Sequence, residues 1–225
     1  MINPNAKAWF ALIFTTIVMG LLLFVSAGTV RYWQAWAYLG VFFGASFLIT
    51  LSLMKKDPAL LQRRMSGGPM AEKEKTQKII MFFASAGYIA LLVVPGLDHR
   101  FNWSSVPPAV VIISDILTTL SFYMIFLVFK ENTFTSATIE IADDQKVIST
   151  GPYAFARHPM YAGGLLLLLV TPLALGSYWG LLAFFAVLPT IIWRLLDEEK
   201  FLAKNLPGYV GYCAKVRWRL MPGVF

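Results

Sequence analysis

The chain has 225 residues, 58% of them hydrophobic and only 14% charged, with a net charge of +7 and a mean hydropathy of +0.65. A soluble domain carries about 25% charged residues, so this composition excludes an ordinary soluble domain and makes the basic excess a membrane-topology signal rather than a nucleic-acid footprint. The single cysteine, Cys213, excludes an intramolecular disulfide and a multi-cysteine metal site, and His99 and His158 are too far apart in sequence to suggest zinc.

A helix that crosses a membrane needs about 20 mainly apolar residues. In chain order the candidates are 9–27, 35–54, 79–97, 106–129, 160–175 and 178–196. The first lacks a strong basic leader and a small-residue cleavage site, which makes it a retained span. The fifth is short and broken by Pro172, so it forms a tight helical hairpin with the sixth across "PLALGSYWG". The expected fold is an all-α polytopic membrane bundle of six transmembrane helices. The alternative is five, with the hairpin crossing only in part. Residues 1–129 hold the first four spans.

Lysine and arginine set the orientation. With the N-terminus in the cytoplasm, Lys7, the 55–78 loop, Lys130, Lys146, Arg157, Arg194 and the basic tail are cytoplasmic, and only Arg31 and Arg100 fall outside. That asymmetry puts both termini in the cytoplasm, and a bacterial inner membrane is the expected setting. Trp33, Trp36, Trp103 and Trp179 then line the outer interface as an aromatic belt. The 55–78 loop, basic at Lys55, Lys56, Arg63, Arg64, Lys73, Lys75 and Lys78, reads as two short interfacial helices around its "SGGP" break, solvated and touching lipid headgroups.

The second cytoplasmic loop, 130–159, is rich in Thr, Ser and β-branched residues, and suits a short extended segment folded back onto the bundle. It delivers Arg157 and His158 to the start of the fifth span. Pro159 fits the first turn of that helix, where a missing N–H costs nothing. Free backbone amides and the positive dipole end, joined by Arg157 and His158, make an anion site for a carboxylate or phosphate. Gly163 and Gly164 allow a ligand or a neighbouring helix to approach closely. An arginine at such a helix end is also an ordinary topology anchor. The sixth span ends "WRLLDEEKFL". Its acids, Asp197, Glu198 and Glu199, oppose the helix dipole. Glu198 follows Arg194 by four residues, so the two share a face. An antiparallel hairpin brings the start of span five beside the end of span six. Arg157 and His158 should therefore meet Glu198 and Glu199 at the cytoplasmic rim, either as a structural ion pair or as a pocket for a zwitterion. In the tail, Tyr209 and Tyr212 share a helix face, and "RWRLMP" suits an interfacial segment that closes the pocket from the cytoplasm.

These elements resemble the membrane methyltransferases of the isoprenylcysteine carboxyl methyltransferase and phospholipid methyltransferase family. The family pattern runs R-H-P-x-Y-x-G, a helical hairpin, E-E-x-x-L and a Tyr-rich tail. The chain matches it at Arg157, His158, Pro159, Tyr161, Gly163, Glu198, Glu199, Leu202, Tyr209 and Tyr212, and "NTF" at Asn132–Phe134 is similar to the family's approach to this region. The resemblance covers residues 130–225 and implies that they form the catalytic region. It implies S-adenosylmethionine as cofactor, bound by Gly151, Tyr153, Arg157, His158, Tyr161, Gly163, Glu198, Glu199, Tyr209 and Tyr212. It also implies a lipophilic or membrane-embedded acceptor that arrives sideways from the bilayer. Arg194 and Asn132 are the acceptor-binding candidates, with Arg194 and Glu198 as catalytic residues. One departure stands out: the span 106–129 carries no Lys or Arg, only Asp115, where the pattern has a second acceptor-binding arginine. This argues against a prenylcysteine acceptor and leaves small thiols, amine headgroups and other apolar carboxylates. Neither a metal nor a nucleic-acid partner is expected. A membrane reductase of the sterol-reductase type, using NADPH, is the second enzymatic reading, and a non-enzymatic protein with structural rim ion pairs is the third.

Overall fold

The computed structural model describes residues 4–65, 67, 72, 74–142 and 144–225. Its helices are α1 (Pro4–Ala27), α2 (Trp33–Lys56), α3 (Pro58–Met65), α4 (Lys75–Phe101), α5 (Pro108–Glu131), α6 (Pro159–Ala174), α7 (Gly180–Asn205) and α8 (Tyr209–Lys215), with a 3-10 turn at Gly151–Ala154 before α6. Local chemistry marks several boundaries. Pro58, Pro108 and Pro159 open α3, α5 and α6 at the position where a proline is tolerated. Asp57 caps α3, accepting the amide of Leu60 at 2.9 Å. α4 stops at Asn102, which adopts a left-handed conformation with φ 53°.

Among the described residues five helices, α1, α2, α4, α5 and α7, are long and apolar enough to cross a membrane. α6 is apolar but has 16 residues, or about 24 Å against a hydrocarbon core of about 30 Å. Pro172 does not end it. The helix carries this proline internally and runs on to Ala174, and the break falls at 175–179 instead. The helices form a ring in which α1 touches α2 and α4, α4 touches α7, α7 touches α6, α6 touches α5 and α5 touches α2. α6 also meets α2 and α4 and is the innermost member.

At the hairpin end of the ring, the turn is tied down by buried polar groups. Asp98 is fully buried and accepts the Ser104 amide at 2.7 Å and the Ser177 hydroxyl at 2.5 Å. The Tyr32 hydroxyl donates to the Leu175 carbonyl at 2.5 Å. A Cβ on Gly180 would lie 2.5 Å from Pro172 and 2.9 Å from Pro95, so only glycine lets α4, α6 and α7 converge here. Trp33, Trp36, Trp103 and Trp179 are all about half exposed, and the Trp103 and Trp179 rings lie 6.4 Å apart. That is the arrangement expected of an interfacial aromatic belt.

At the opposite end, Ala8, Leu53, Leu60 and Leu61 pack α1, α2 and α3 together. A single short helix, α3, occupies the 55–78 loop among the described residues, where two were expected. Lys75 and Lys78 belong to α4 instead, whose polar first turn precedes the apolar run that starts at Ile79. Ser66, Gly68 and Pro69 of the "SGGP" break, and Lys73, lie outside the described residues. The 130–159 loop does fold back onto the bundle, but through turns rather than an extended strand. Arg64 and Arg63 hold it: Arg64 donates to the Ser136 carbonyl at 2.6 Å, and Arg63 to the carbonyl of Thr133 and, at 3.2 Å, to its hydroxyl.

Candidate functional site

The hairpin register builds the site. α7 has 26 residues against 16 in α6, so its last turns run past the first residue of α6. Arg194 then stands near the level of Pro159, and the acids at 197–199 project beyond it, outside the most apolar part of the bundle. Ala162 donates to the His158 carbonyl at 3.1 Å. The amides of Met160 and Tyr161 precede that first helical bond and have no carbonyl to reach inside the helix.

The adjacent acids do different things. Glu198 accepts the Tyr161 hydroxyl at 2.5 Å and faces a cavity. Glu199 points the other way. Its Oε2 accepts from Arg219 Nε at 2.8 Å. Its Oε1 is 3.0 Å from Arg157 Nη2 and 3.7 Å from His158 Nε2. These last two are ion-pair distances, and among the described residues the buried Glu199 Oε1 and Arg157 Nε have no hydrogen-bond partner.

The tail is laced to the start of α6. Arg157 donates its backbone N–H to the Trp218 carbonyl at 2.9 Å, and His158 donates to that of Arg219 at 2.8 Å. Tyr209 and Tyr212 share one face of α8, both buried, with ring centroids 5.9 Å apart. The Tyr212 hydroxyl donates to the Tyr153 carbonyl at 2.7 Å, and the Tyr209 hydroxyl is 3.4 Å from His158 Nε2. Burial raises the pKa of both tail tyrosines and pushes Tyr153 up to about 12. All three therefore stay neutral hydroxyls near pH 7. Tyr153 accepts from Asn132 Nδ2 at 2.9 Å, which joins the "NTF" segment to the turn before α6.

These groups surround a cavity of about 490 Å³, within the range of small-molecule sites. Its mouth is polar and is lined by Asn132, Tyr153, Arg157, His158, Tyr161, Glu198, Tyr209 and Tyr212. Its inner part is an apolar chamber between α4, α5, α6 and α7, lined by Met81, Ala84, Ile125, Leu165, Leu168 and Ile191. Gly164 faces this chamber, and a Cβ there would meet nothing within 4 Å. Gly163, the neighbouring site candidate, instead faces α5, with a Cβ position 3.1 Å from Ile125 and 3.4 Å from the Ser121 carbonyl. Its role in the structure is helix approach.

Of the residues singled out in the sequence, Gly151, Gly163 and Glu199 do not line the cavity. Gly151 sits at φ 55° in the turn before α6, with Glu131 where a Cβ would go. Glu199 is turned away, toward Arg157, Arg219 and the His158 ring. Arg194 does line the cavity but is largely engaged by the protein: it donates to Glu72 at 2.7 Å, Gln77 at 2.8 Å and the Ala137 carbonyl at 3.1 Å. Glu72 and Gln77 are buried, and Gln77 also reaches Asp197. These two and Arg64, which also lines the cavity, were not found from sequence. Their only signal there is the position of Glu72 and Gln77 in a mainly basic segment.

Residues 109–207 match the family model for phospholipid methyltransferases. The match begins one residue into α5, spans the "NTF" segment, the "RHP" turn and both hairpin helices, and ends just after α7. The stretch that contributes most of the cavity wall is therefore similar to phospholipid methyltransferases.

Proposed function

We propose that the protein is an S-adenosylmethionine-dependent methyltransferase acting at the cytoplasmic rim of the membrane on a lipophilic or membrane-embedded acceptor. One observation carries this reading: a cavity whose polar mouth holds an acid, Glu198, the Arg157 guanidinium and the His158 imidazole, and which continues inward as an apolar chamber. A zwitterionic nucleoside needs the first part and a greasy acceptor the second. The buried Arg157 Nε without a hydrogen-bond partner is the kind of donor a ligand carboxylate satisfies.

When bound, the cofactor supplies an electrophilic sulfonium methyl group, so the protein's task is binding and alignment. In this reading Glu198, oriented by Tyr161, accepts hydrogen bonds from an ammonium or from ribose hydroxyls. Arg157, His158 and the first amides of α6 face the carboxylate. Tyr153, Tyr209 and Tyr212 close the mouth and exclude water. Arg194 stands between mouth and chamber, held in place by Glu72 and Gln77. Holding two reactants in line in this way can be worth about 7–11 kcal/mol.

The test is to purify the protein in detergent and titrate it with labelled S-adenosylmethionine and, separately, with NADPH. Membrane lipid extract is then added and searched for a labelled product. Binding of NADPH alone, or of neither, overturns the proposal. A second expectation follows from the open space beside Gly164. Gly164→Leu should fill part of the apolar chamber, lowering labelled-product formation about tenfold while S-adenosylmethionine affinity stays unchanged. Equal turnover by this variant would mean that the acceptor chain does not use the chamber.

A further inference from the structure

Asn132 and Tyr153 both line the cavity, and a hydrogen bond of 2.9 Å joins Asn132 Nδ2 to the Tyr153 hydroxyl oxygen. A second bond fixes the direction of the first. Asn132 Oδ1 accepts the backbone N–H of Phe134 at 2.9 Å. A flipped amide would set its own N–H groups against that N–H, donor against donor, so the amide nitrogen must face Tyr153. The phenol oxygen is therefore the acceptor in this pair, and its own proton is left for another partner. Burial pushes the Tyr153 pKa up to about 12, so the proton stays on the oxygen near pH 7.

Among the described residues no hydrogen bond uses that proton. The charges of Glu198 and Arg64 reach Tyr153 from the same cavity, but Glu198 is bonded to Tyr161 and Arg64 to the Ser136 carbonyl. Both partners are held firmly. The Asn132 backbone N–H donates to the Val128 carbonyl at 2.9 Å, and the Tyr153 carbonyl accepts the Tyr212 hydroxyl at 2.7 Å. The Tyr153 ring packs against the cluster of Leu206, Tyr209 and Tyr212. A buried donor without a protein acceptor, in the lining of a cavity, is met by the molecule that occupies the cavity. We propose that Asn132 is a positioning residue rather than a contact for the methyl acceptor, and that it sets the Tyr153 hydroxyl as a hydrogen-bond donor to the cofactor in the mouth. S-adenosylmethionine offers carboxylate oxygens, ribose oxygens and purine nitrogens as acceptors for such a donor. Its ammonium is not one, so the pair also fixes which part of the cofactor lies against Tyr153.

The inference rests on the methyltransferase reading for the identity of the ligand. Its test reverses the polarity of one hydrogen bond. Full-length protein in detergent is titrated with S-adenosylmethionine as wild type, Tyr153→Phe, Asn132→Asp and the double variant, with thermal unfolding recorded for each. Asn132→Asp keeps an oxygen for the Phe134 N–H but presents a second oxygen to Tyr153. The phenol then donates to it, and the cavity loses the proton while the hydroxyl stays. Tyr153→Phe should bind about tenfold more weakly, the worth of one hydrogen bond. Asn132→Asp should show a similar loss, and adding it to Tyr153→Phe should cost nothing further. A carboxylate that acted through its charge, or a residue that only supported the loop, would cost the same in both backgrounds, and that result overturns the inference. So does wild-type affinity in Tyr153→Phe, which decides alone if the Asn132 variants unfold. Either outcome leaves the methyltransferase reading standing, whereas absence of S-adenosylmethionine binding by wild type removes both.

Discussion

Glu198→Gln is expected to weaken S-adenosylmethionine binding about 30-fold while leaving thermal stability close to wild type. The substitution keeps the shape of the side chain and an oxygen that can still accept from Tyr161. It removes the negative charge that faces the cavity. A hydrogen bond to a charged acceptor is worth roughly 1 kcal/mol more than one to a neutral acceptor. Two such bonds to a ligand ammonium or diol amount to about 2 kcal/mol, or about 30-fold in affinity. Isothermal titration in detergent reads this directly. An affinity equal to wild type would remove Glu198 from the cofactor site and with it the main support for the proposed activity.

The neighbouring residue should respond in the opposite way. Glu199→Gln removes the charge that holds Arg157 at 3.0 Å and Arg219 at 2.8 Å. Arg219 is one-third exposed, and its share is screened by solvent. Arg157 is 9% exposed and is left as a buried, uncompensated cation. Breaking a buried pair from one side costs about 3–5 kcal/mol, and the partial exposure of this cluster puts the expected loss near the lower figure, about 3 kcal/mol. The melting point should fall, and the chain should become open to trypsin at Arg217 and Arg219 as the tail detaches from α6. Unchanged cleavage there would show that the backbone bonds from Arg157 and His158 hold the tail without Glu199. The two variants together separate a binding acid from a structural one at adjacent positions.

That separation marks how far the sequence could be read. The spans, the hairpin and the meeting of "RHP" with "DEE" followed from hydropathy, antiparallel packing and charge, because each is set by a period or an order along the chain. Which acid turns inward was not readable. Consecutive helical residues differ by about 100° in direction, so one faces the cavity and the next the tail, and the choice depends on where α6 and the tail lie. Gly163 and Gly164 divide in the same way. The sequence placed them together, and the packing of α5 gave one to a helix contact and the other to the chamber. Pro172 was read as a break within the fifth span. Inside a bundle, neighbouring helices tolerate such a proline, and the helix continued. Arg64 and Glu72 were invisible for another reason. They lie far from the site along the chain, in a loop whose charges already had a sufficient explanation in membrane topology.

The two backbone bonds that join residues 157 and 158 to 218 and 219 also impose an order on biosynthesis. The hairpin helices leave the ribosome before residues 218 and 219 do, so the bundle can be inserted while the mouth of the pocket is still open. Closing the mouth is then a docking step that follows synthesis of both hairpin helices.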